Sequence, residues 1–305
     1  MNFPIIPETL RLERLQPSTN KVRMVLDTDT YNEIDDQFAV VYALLSPERV
    51  QVEALYAAPF ANQRAASPAE GMEKSYEELL RLLDRLDISP GGFVFRGSTG
   101  YMTDYEHPHH SEAALDLVER AMSSRDTPLY VVAIGAITNV ASAILIEPQI
   151  IERIVVLWLG GHAHYWPHNV EFNLKQDPQS ARLVFDCGVP LIHFPCMGVT
   201  THLVTTLSEI EQYVKGRGAI GDYLAEIYKD YRADQFAWSK VIWDMVTIAY
   251  LIDDEWVPTD IVHSPILTER LTWSFDNARH FIRCANYVRR DPIFGDLFTK
   301  LARAT

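Results

Sequence analysis

The feature that most limits the possible folds is an apolar run that leads into a cluster of acids near the start of the chain. Residues 22–26 are mostly apolar and are typical of a buried β-strand. From residue 38 the apolar side chains recur at helical spacing until Ser46-Pro47. Five acids lie between these two patterns: Asp27, Asp29, Glu33, Asp35 and Asp36. We therefore expect them in a loop at the carboxyl end of a strand, where parallel α/β sheets bind ligands.

Acids this closely spaced repel one another unless something neutralises their charge. A hard cation held by oxygen ligands is the simplest solution. Helix capping and the positive end of a helix dipole would explain one or two of the acids, but not five. The cluster therefore predicts a metal site.

The composition limits the kinds of partner that such a site could bind. The chain has 305 residues and a net charge of −14, from 27 basic and 41 acidic residues. That charge argues against a general nucleic-acid surface or an anionic-membrane surface, and it leaves a small ligand open. Three scattered cysteines are too few for a disulfide framework or a zinc knuckle, and each is expected to be a small buried side chain: Cys187, Cys196 and Cys284.

No targeting or membrane segment is predicted. The first twenty residues lack the basic start and apolar core of a secretory signal. No apolar run is long enough to cross a bilayer. These features predict a cytoplasmic enzyme.

Strand and helix patterns alternate along the whole chain. Ser67-Pro68-Ala69-Glu70 is a capping box that predicts the start of a helix. The predicted strands after the first are residues 52–58, 93–95, 129–134, 154–159 and 190–194, with strand-like pieces at 271–275 and 281–287. We predict an α/β fold: a single domain over residues 1–305 with a Rossmann-like, mostly parallel sheet flanked by helices. Residues 1–20 are expected to be an N-terminal extension.

Four short motifs occur in a characteristic order: the acids of residues 27–36, Gly135-Ala-Ile-Thr138-Asn139, Glu171-Phe-Asn173 followed by Asp177-Pro178, and Trp243-Asp244. Together they resemble the signature of the nucleoside hydrolases, the inosine–uridine-preferring family, over nearly the whole chain from about residue 22. The resemblance implies a calcium-dependent α/β enzyme that uses water to cleave the N-glycosidic bond of a ribonucleoside.

The resemblance also assigns ligands for Ca²⁺. Asp29 matches the acid that binds the ion and acts as general base, and Asp36 matches the bidentate ligand. Asp244 matches the late ligand. Ile134 matches a position whose main-chain carbonyl binds the ion.

Other positions match contacts to the substrate. Asp35 matches the acid that holds the ribose hydroxyls, Asn62 an asparagine near the metal and ribose, and Glu171 and Asn173 further ribose contacts. Asp27 matches the first acid of the motif, with a supporting role. The family also implies a homodimer or homotetramer, with a small-molecule nucleoside and no nucleic acid or membrane as partner.

General chemistry agrees with these roles. Glycosidic cleavage passes through an oxocarbenium-like ribosyl species, whose positive charge nearby carboxylates stabilise. A bound cation lowers the pKa of its water, and a neighbouring carboxylate can take the proton.

Three features depart from the family pattern. The two pairs of aspartates are separated by five residues, 30–34, where three are usual, and the added Asn32 and Glu33 are expected to reshape the pocket rim. Trp243 occupies a position that is often histidine, and it can stack but cannot donate a proton. The loop 161–171 is short, so Asn169 is our assignment for the contact to the 5′-hydroxyl.

Two other readings remain open from the sequence. A strand followed by Asp-x-Asp also begins the haloacid-dehalogenase-like phosphohydrolases, which use an aspartyl nucleophile, although Tyr31 stands where they usually have Thr or Val. A non-catalytic ribose or nucleoside sensor on the same fold is the third reading. The histidine-containing stretch 97–110 offers possible substrate contacts only.

Overall fold

The computed structural model describes residues 3–123 and 126–304, which form one α/β domain. The strands are β1 Val22–Thr28, β2 Val50–Ala57, β3 Val94–Arg96, β4 Leu129–Ala133, β5 Ile154–Leu159, β6 Leu191–Phe194, β7 Val204–Thr205, β8 Lys240–Val241, β9 Thr259–His263, β10 Ile266–Leu267, β11 Trp273–Ser274 and β12 Phe281–Ala285. The helices are α1 Glu8–Arg14, α2 Asp35–Leu44, α3 Pro68–Arg85, α4 Glu112–Met122, α5 Thr138–Ile146, α6 Phe172–Gln176, α7 Pro178–Asp186, α8 Leu207–Tyr213, α9 Gly218–Tyr231, α10 Met245–Ile252 and α11 Arg290–Arg303.

Eight strands form the central sheet, in the order β3-β2-β1-β4-β5-β6-β12-β9. All neighbouring pairs are parallel except β12 and β9, which run antiparallel. The predicted fold class is confirmed. β1 is the third of the eight strands and has parallel neighbours on both sides, so the acids at its end are placed at an interior position of the sheet's carboxyl edge.

Helices cover both faces of the sheet. One apolar core joins the sheet to α2, α3, α9, α10 and α11. The second core joins it to α4, α5 and α7. The first strand is buried along its whole length apart from partly exposed Arg23, as expected for a strand covered on both faces.

The predicted start of α3 is confirmed in detail. The Ser67 side chain accepts a hydrogen bond from the amide of Glu70, and the Glu70 carboxylate accepts one from the amide of Ala66. The Ser67 bond satisfies an amide of the first helical turn, and the Glu70 bond satisfies the amide of Ala66, which directly precedes the N-cap residue.

The C-terminal strands differ from the prediction. The strand-like piece 271–275 contains only the two-residue β11, and Leu271 is excluded from the strand because it adopts φ +54°, a left-handed conformation. The sequence pattern missed β9, an edge strand with no fully buried residue, so it lacks a clear alternation of apolar and polar side chains. Residues 1–20 include α1, whose Arg11 side chain donates a hydrogen bond to the carbonyl of Gly188. In the described part of the chain, no helix is both long and apolar enough to cross a membrane.

Candidate active site

The predicted acids are brought together by one strand and two helix starts. Asp27 lies within β1, and Asp29 follows directly after its end. Asp35 and Asp36 form the first turn of α2, while Asp244 immediately precedes α10. The expectation that all five N-terminal acids lie in a loop was therefore wrong in part, because β1 extends through Asp27 and α2 begins early enough to include Asp35 and Asp36.

Three of these acids form a compact group. Asp35, Asp36 and Asp244 each place a carboxylate oxygen within 4.8 Å of the other two. All three side chains are buried, and Asp244, the N-cap residue of α10, makes no capping hydrogen bond to that helix. Capping therefore does not account for the burial of Asp244.

Several buried carboxylate oxygens have no hydrogen-bond partner in the described structure. Both oxygens of Asp29 are in this state, as are one oxygen of Asp36 and one of Asp27. The other Asp36 oxygen accepts from the Thr28 hydroxyl at 2.5 Å, and the other Asp27 oxygen accepts from Asn139 Nδ2 at 2.7 Å. Buried polar atoms are rarely left without partners, so these oxygens are available to a ligand.

Burial and mutual repulsion raise the pKa values of these acids. Burial raises the pKa of Asp27 to about 7, opposed by its hydrogen bond from Asn139. Burial and the charge of Asp35 raise the pKa of Asp36 to about 8. The pKa values of Asp29 and Asp244 rise well above the usual range, chiefly through burial and then through the charge of Asp36. A nearby cation would favour the ionised forms.

Asp35 and Glu33 share a basic neighbour, Lys240. The Lys240 ammonium lies 3.8 Å from Asp35 Oδ1 and donates a hydrogen bond to the Glu33 carboxylate. Burial alone would lower the pKa of Lys240, but the charges of Asp35 and Glu33 raise it above its usual value. The lysine therefore stays protonated and offsets part of the negative charge beside Asp35.

Two of the predicted ribose contacts, Glu171 and Asn173, lie where the loop after β5 leads into α6. Glu171 caps α6 and accepts hydrogen bonds from the amides of Gly161, Asn173 and Leu174. The side-chain Nδ2 of Asn173 donates hydrogen bonds to the main-chain carbonyls of Ile134 and Leu159, both at 3.0 Å. Both side chains therefore support the backbone around the pocket, and the Ile134 carbonyl is oriented towards this region by Asn173.

A cavity of about 320 Å³ opens at this edge of the sheet, a size suited to a small molecule. Asn62 and Trp243 contribute to its wall, as do the added residues Asn32 and Glu33. The other lining residues are Asp35, Gln63, Ile134, Leu159, His162, Val170, Glu171, Phe172, Asn173, Cys196, Met197 and Asp244. Asp29 and Asp36 are fully buried and do not line it.

Asn169 is also outside the cavity wall. Its Oδ1 accepts a hydrogen bond from the amide of His162 at 2.9 Å, and its buried Nδ2 has no partner in the described structure. The 5′-hydroxyl contact assigned to it stays a prediction. The stretch 97–110 does not contribute to the cavity wall either.

Sequence reasoning did not single out His162 or Lys240. His162 Nδ1 accepts a hydrogen bond from the amide of Met197, which places the proton of the neutral ring on Nε2. Burial and then the neighbouring His168 lower the pKa of His162 to about 4, so the ring is neutral at pH 7. The sequence signal that could have identified His162 is its position after Gly160-Gly161, at the carboxyl end of β5.

Gly135 brings the backbone close to Asp29. A Cβ at this position would lie 3.1 Å from Asp29 Cγ and Oδ1 and from Ala58 Cβ. We expect Gly135→Ala to shift the Asp29 carboxylate by a few tenths of an ångström. It should lower kcat by less than the ~10²-fold that a misplacement of about 1 Å costs. Steady-state kinetics would test this. Gly91→Ala is the matched control, because a Cβ there meets nothing within 4 Å. Unchanged turnover in Gly135→Ala would contradict the prediction.

The donor set fits a hard cation. The partnerless oxygens of Asp29 and Asp36, the carboxylate of Asp244 and the carbonyl of Ile134 are all oxygen donors of the kind that calcium and magnesium prefer. The group is strongly acidic, and Lys240 supplies only one positive charge beside it. The site therefore has the composition of a metal centre.

Comparison with known proteins identifies the class. The family model described as inosine-uridine preferring nucleoside hydrolase matches residues 24–285. The chain therefore belongs to this family, and it is an N-ribosyl hydrolase that acts on the N-glycosidic bond of nucleosides. The resemblance inferred from the motifs is confirmed, and it leaves no support for the phosphohydrolase reading.

Individual relatives agree with this assignment. The chain is 27% identical to the pyrimidine-specific ribonucleoside hydrolase RihA of Salmonella typhimurium, over 76% of this chain and 80% of that protein. Its fold matches an inosine-guanosine nucleoside hydrolase with a TM-score of 0.74 at 17% identity, over 93% of this chain and 99% of the other. It also matches a purine-preferring ribonucleoside hydrolase from Gardnerella vaginalis with a TM-score of 0.70 at 19% identity, over 92% and 98%.

Proposed function

We propose that this protein hydrolyses a ribonucleoside to ribose and free base in a calcium-dependent reaction. The observation that carries the proposal is the buried Asp29 carboxylate, which has no hydrogen-bond partner for either oxygen. It stands beside the group formed by Asp35, Asp36 and Asp244, at the carboxyl edge of the central sheet.

The metal would be held by oxygen donors from three parts of the fold. These are the carboxylates of Asp29, Asp36 and Asp244 and the main-chain carbonyl of Ile134. When bound, the cation supplies a positive charge that lowers the pKa of a water and interacts with the sugar diol. Ca²⁺ suits the site because it accepts ~6–8 oxygen ligands in flexible geometry.

Asp29 is the proposed general base. In its ionised form it removes a proton from the attacking water, and proton transfer by a placed carboxylate contributes ~10²–10⁴-fold to rate. The same negative charge stabilises the oxocarbenium-like ribosyl group as the base departs. Asp27 supports this position through the hydrogen bond that joins it to Asn139.

The ribose hydroxyls are proposed to bind to four polar side chains that line the cavity. Asp35 accepts hydrogen bonds from the hydroxyls, with its charge kept by Lys240. Asn62, Glu171 and Asn173 complete the contacts, and all three line the cavity. The backbone hydrogen bonds of Glu171 and Asn173 hold these side chains in place before substrate arrives.

The nucleobase is proposed to lie against the aromatic wall. Trp243 offers a surface for stacking, and such contacts with aromatic rings are favourable for every base. Trp243 is not an acid that could protonate the leaving base, and the low pKa of His162 leaves that ring neutral. Neither Trp243 nor His162 is therefore a strong acid that could protonate the leaving base.

The test is release of reducing sugar from purine and pyrimidine ribonucleosides, with Ca²⁺ and with a chelator. We expect ribose to appear only with the metal, and no inorganic phosphate to appear from a nucleoside monophosphate. A chelated sample should recover its activity when Ca²⁺ is restored. Folded, calcium-loaded protein that binds nucleosides without any ribose release would favour the sensor reading instead.

The assembly and the location also stay predictions. The family resemblance suggests a homodimer or homotetramer, and we propose a cytoplasmic location. Light scattering of the purified chain would determine the number of subunits.

A further inference from the structure

A second group of potential metal ligands lies in the same sheet, away from the acids. His193 on β6 and Cys284 on β12 are register partners in adjacent parallel strands. Cys284 is in turn paired with Asp260 on the antiparallel neighbour β9. Directly paired residues point to the same face of a sheet, so these three side chains form a row across three strands. His164 reaches this row from the loop after β5.

The distances in this group match a tetrahedral metal site. Cys284 Sγ lies 3.8 Å from His164 Nε2 and 3.7 Å from His193 Nδ1. In a tetrahedral zinc site, bonds of ~2.3 Å to sulfur and ~2.0–2.1 Å to nitrogen separate those ligand atoms by about 3.6 Å. All three ligand atoms lie within 4.8 Å of one another. The two sulfur–nitrogen distances are therefore within about 0.2 Å of the tetrahedral value.

A hydrogen bond determines which nitrogen of His193 is free. His193 Nε2 lies 2.6 Å from the carbonyl of Gly160, and a carbonyl can only accept, so Nε2 carries the proton. Nδ1 then presents its lone pair towards Cys284. Metal-bound histidines usually have their other nitrogen held in this way, which keeps the ring oriented and more basic.

The two imidazoles and the space beside them complete the arrangement. The rings of His164 and His193 are stacked with centroids 5.4 Å apart, and both direct a nitrogen at the same sulfur. A cavity of about 160 Å³ is lined by His164, Asp260 and Cys284. It provides an entry path and room for a fourth ligand, either water or the Asp260 carboxylate.

We propose that His164, His193 and Cys284 bind one Zn²⁺ ion, at a site separate from the proposed calcium centre. On binding, the Cys284 thiol loses its proton to solvent and the thiolate and two neutral imidazoles coordinate the ion. The donor chemistry separates the two sites, because sulfur and imidazole nitrogen favour zinc and carboxylate oxygens favour calcium.

A bound zinc ion would link the loop between β5 and α6 to the central sheet. His164 belongs to the loop between β5 and α6, whereas its two partners lie on β6 and β12. His162, two residues earlier in that loop, lines the nucleoside cavity. A metal link at His164 would therefore restrict one wall of the active site, although the ion itself would not contact the substrate.

The experiment uses the full-length protein, freed of metal with a chelator and titrated with Zn²⁺ and separately with Co²⁺. We expect one zinc per chain from the cysteine–histidine group, measured by elemental analysis after desalting. Co²⁺ should produce the near-ultraviolet thiolate charge-transfer band and the intense visible bands of a tetrahedral ion. The spectrum reports sulfur ligation directly and does not depend on enzymatic activity.

The main variant is His164→Ala, because His164 is only partly buried and its replacement is the least disruptive. It should weaken Zn²⁺ binding by more than ~10–100-fold, which is the usual cost of removing a residue that only hydrogen-bonds to a metal ligand. Cys284→Ala should abolish the charge-transfer band. Cys187→Ala, which removes a buried cysteine elsewhere, should leave zinc binding unchanged, as should Asp36→Asn in the acidic group.

Two results would overturn the proposal. One is a wild-type cobalt spectrum without a thiolate band. The other is equal zinc affinity in the wild type and in folded His164→Ala. Either result would mean that the three side chains are joined only by weak S–H···N hydrogen bonds. If His164→Ala lost zinc binding but still released ribose, the result would support the zinc site and would leave the proposed function at the calcium centre unaffected.

Discussion

Replacement of Asp29 by asparagine should reduce kcat for ribose release by ~10²–10⁴-fold, the usual contribution of a placed general base. The substitution keeps the size of the side chain and removes its ability to take a proton. Because Asp29 is fully buried, the change leaves the surface of the cavity almost unaltered. KM should therefore change much less than kcat. Single-turnover kinetics at saturating Ca²⁺ would separate the lost chemical step from any weakening of metal binding.

A matched control uses an aspartate outside the site. Asp254 is exposed at the start of a short 3₁₀ turn, and Asp254→Asn should retain wild-type turnover. If Asp29→Asn, loaded with Ca²⁺, kept turnover within tenfold of the wild type, another group would have to act as the base.

Calcium should stabilise the protein strongly, and Asp36→Asn should remove that effect. A ligand present at 100 times its Kd stabilises the folded state by about 2.7 kcal/mol, which corresponds to several degrees in Tm for a protein of this size. Asparagine at position 36 can still accept the hydrogen bond from Thr28, but it lacks the charge that attracts the ion. It also removes repulsion within the acidic group. Metal-free Asp36→Asn should therefore melt no lower than metal-free wild type, and Ca²⁺ should not raise its Tm.

The raised pKa values of the acids predict how the stability of the metal-free protein depends on pH. Burial raises the pKa of Asp27 to about 7, and burial with the Asp35 charge raises that of Asp36 to about 8. The folded state then holds more protons than the unfolded state between about pH 4 and pH 8, so its stability should fall as pH rises through this range. Ca²⁺ should reverse that fall. Thermal melts at several pH values would test it, and a chelated protein that becomes more stable towards pH 8 would contradict it.

The chemical class of the site was accessible from the sequence because its signals are local. An apolar strand followed by closely spaced acids and a helix start predicts ligand binding at a sheet edge, and Asp27, Asp29, Asp35 and Asp36 all lie there in the structure. The late motif Trp243-Asp244 was linked to them through family resemblance alone. The structure places Asp244 within 4.8 Å of Asp35 and Asp36.

Only the tertiary structure decided which contacts each side chain makes. Lys240 lies more than 200 residues after Glu33, yet the two are joined by a hydrogen bond. His193 and Cys284 become neighbours because β12 pairs with β6, a choice of strand order that no local pattern encodes. Short-range periodicity reports which face of an element is buried, whereas long-range pairing depends on packing of the whole chain. The sequence alone therefore determined the α/β class and the acidic centre, and the assembled sheet determined the basic partner of Asp35 and the proposed zinc ligands.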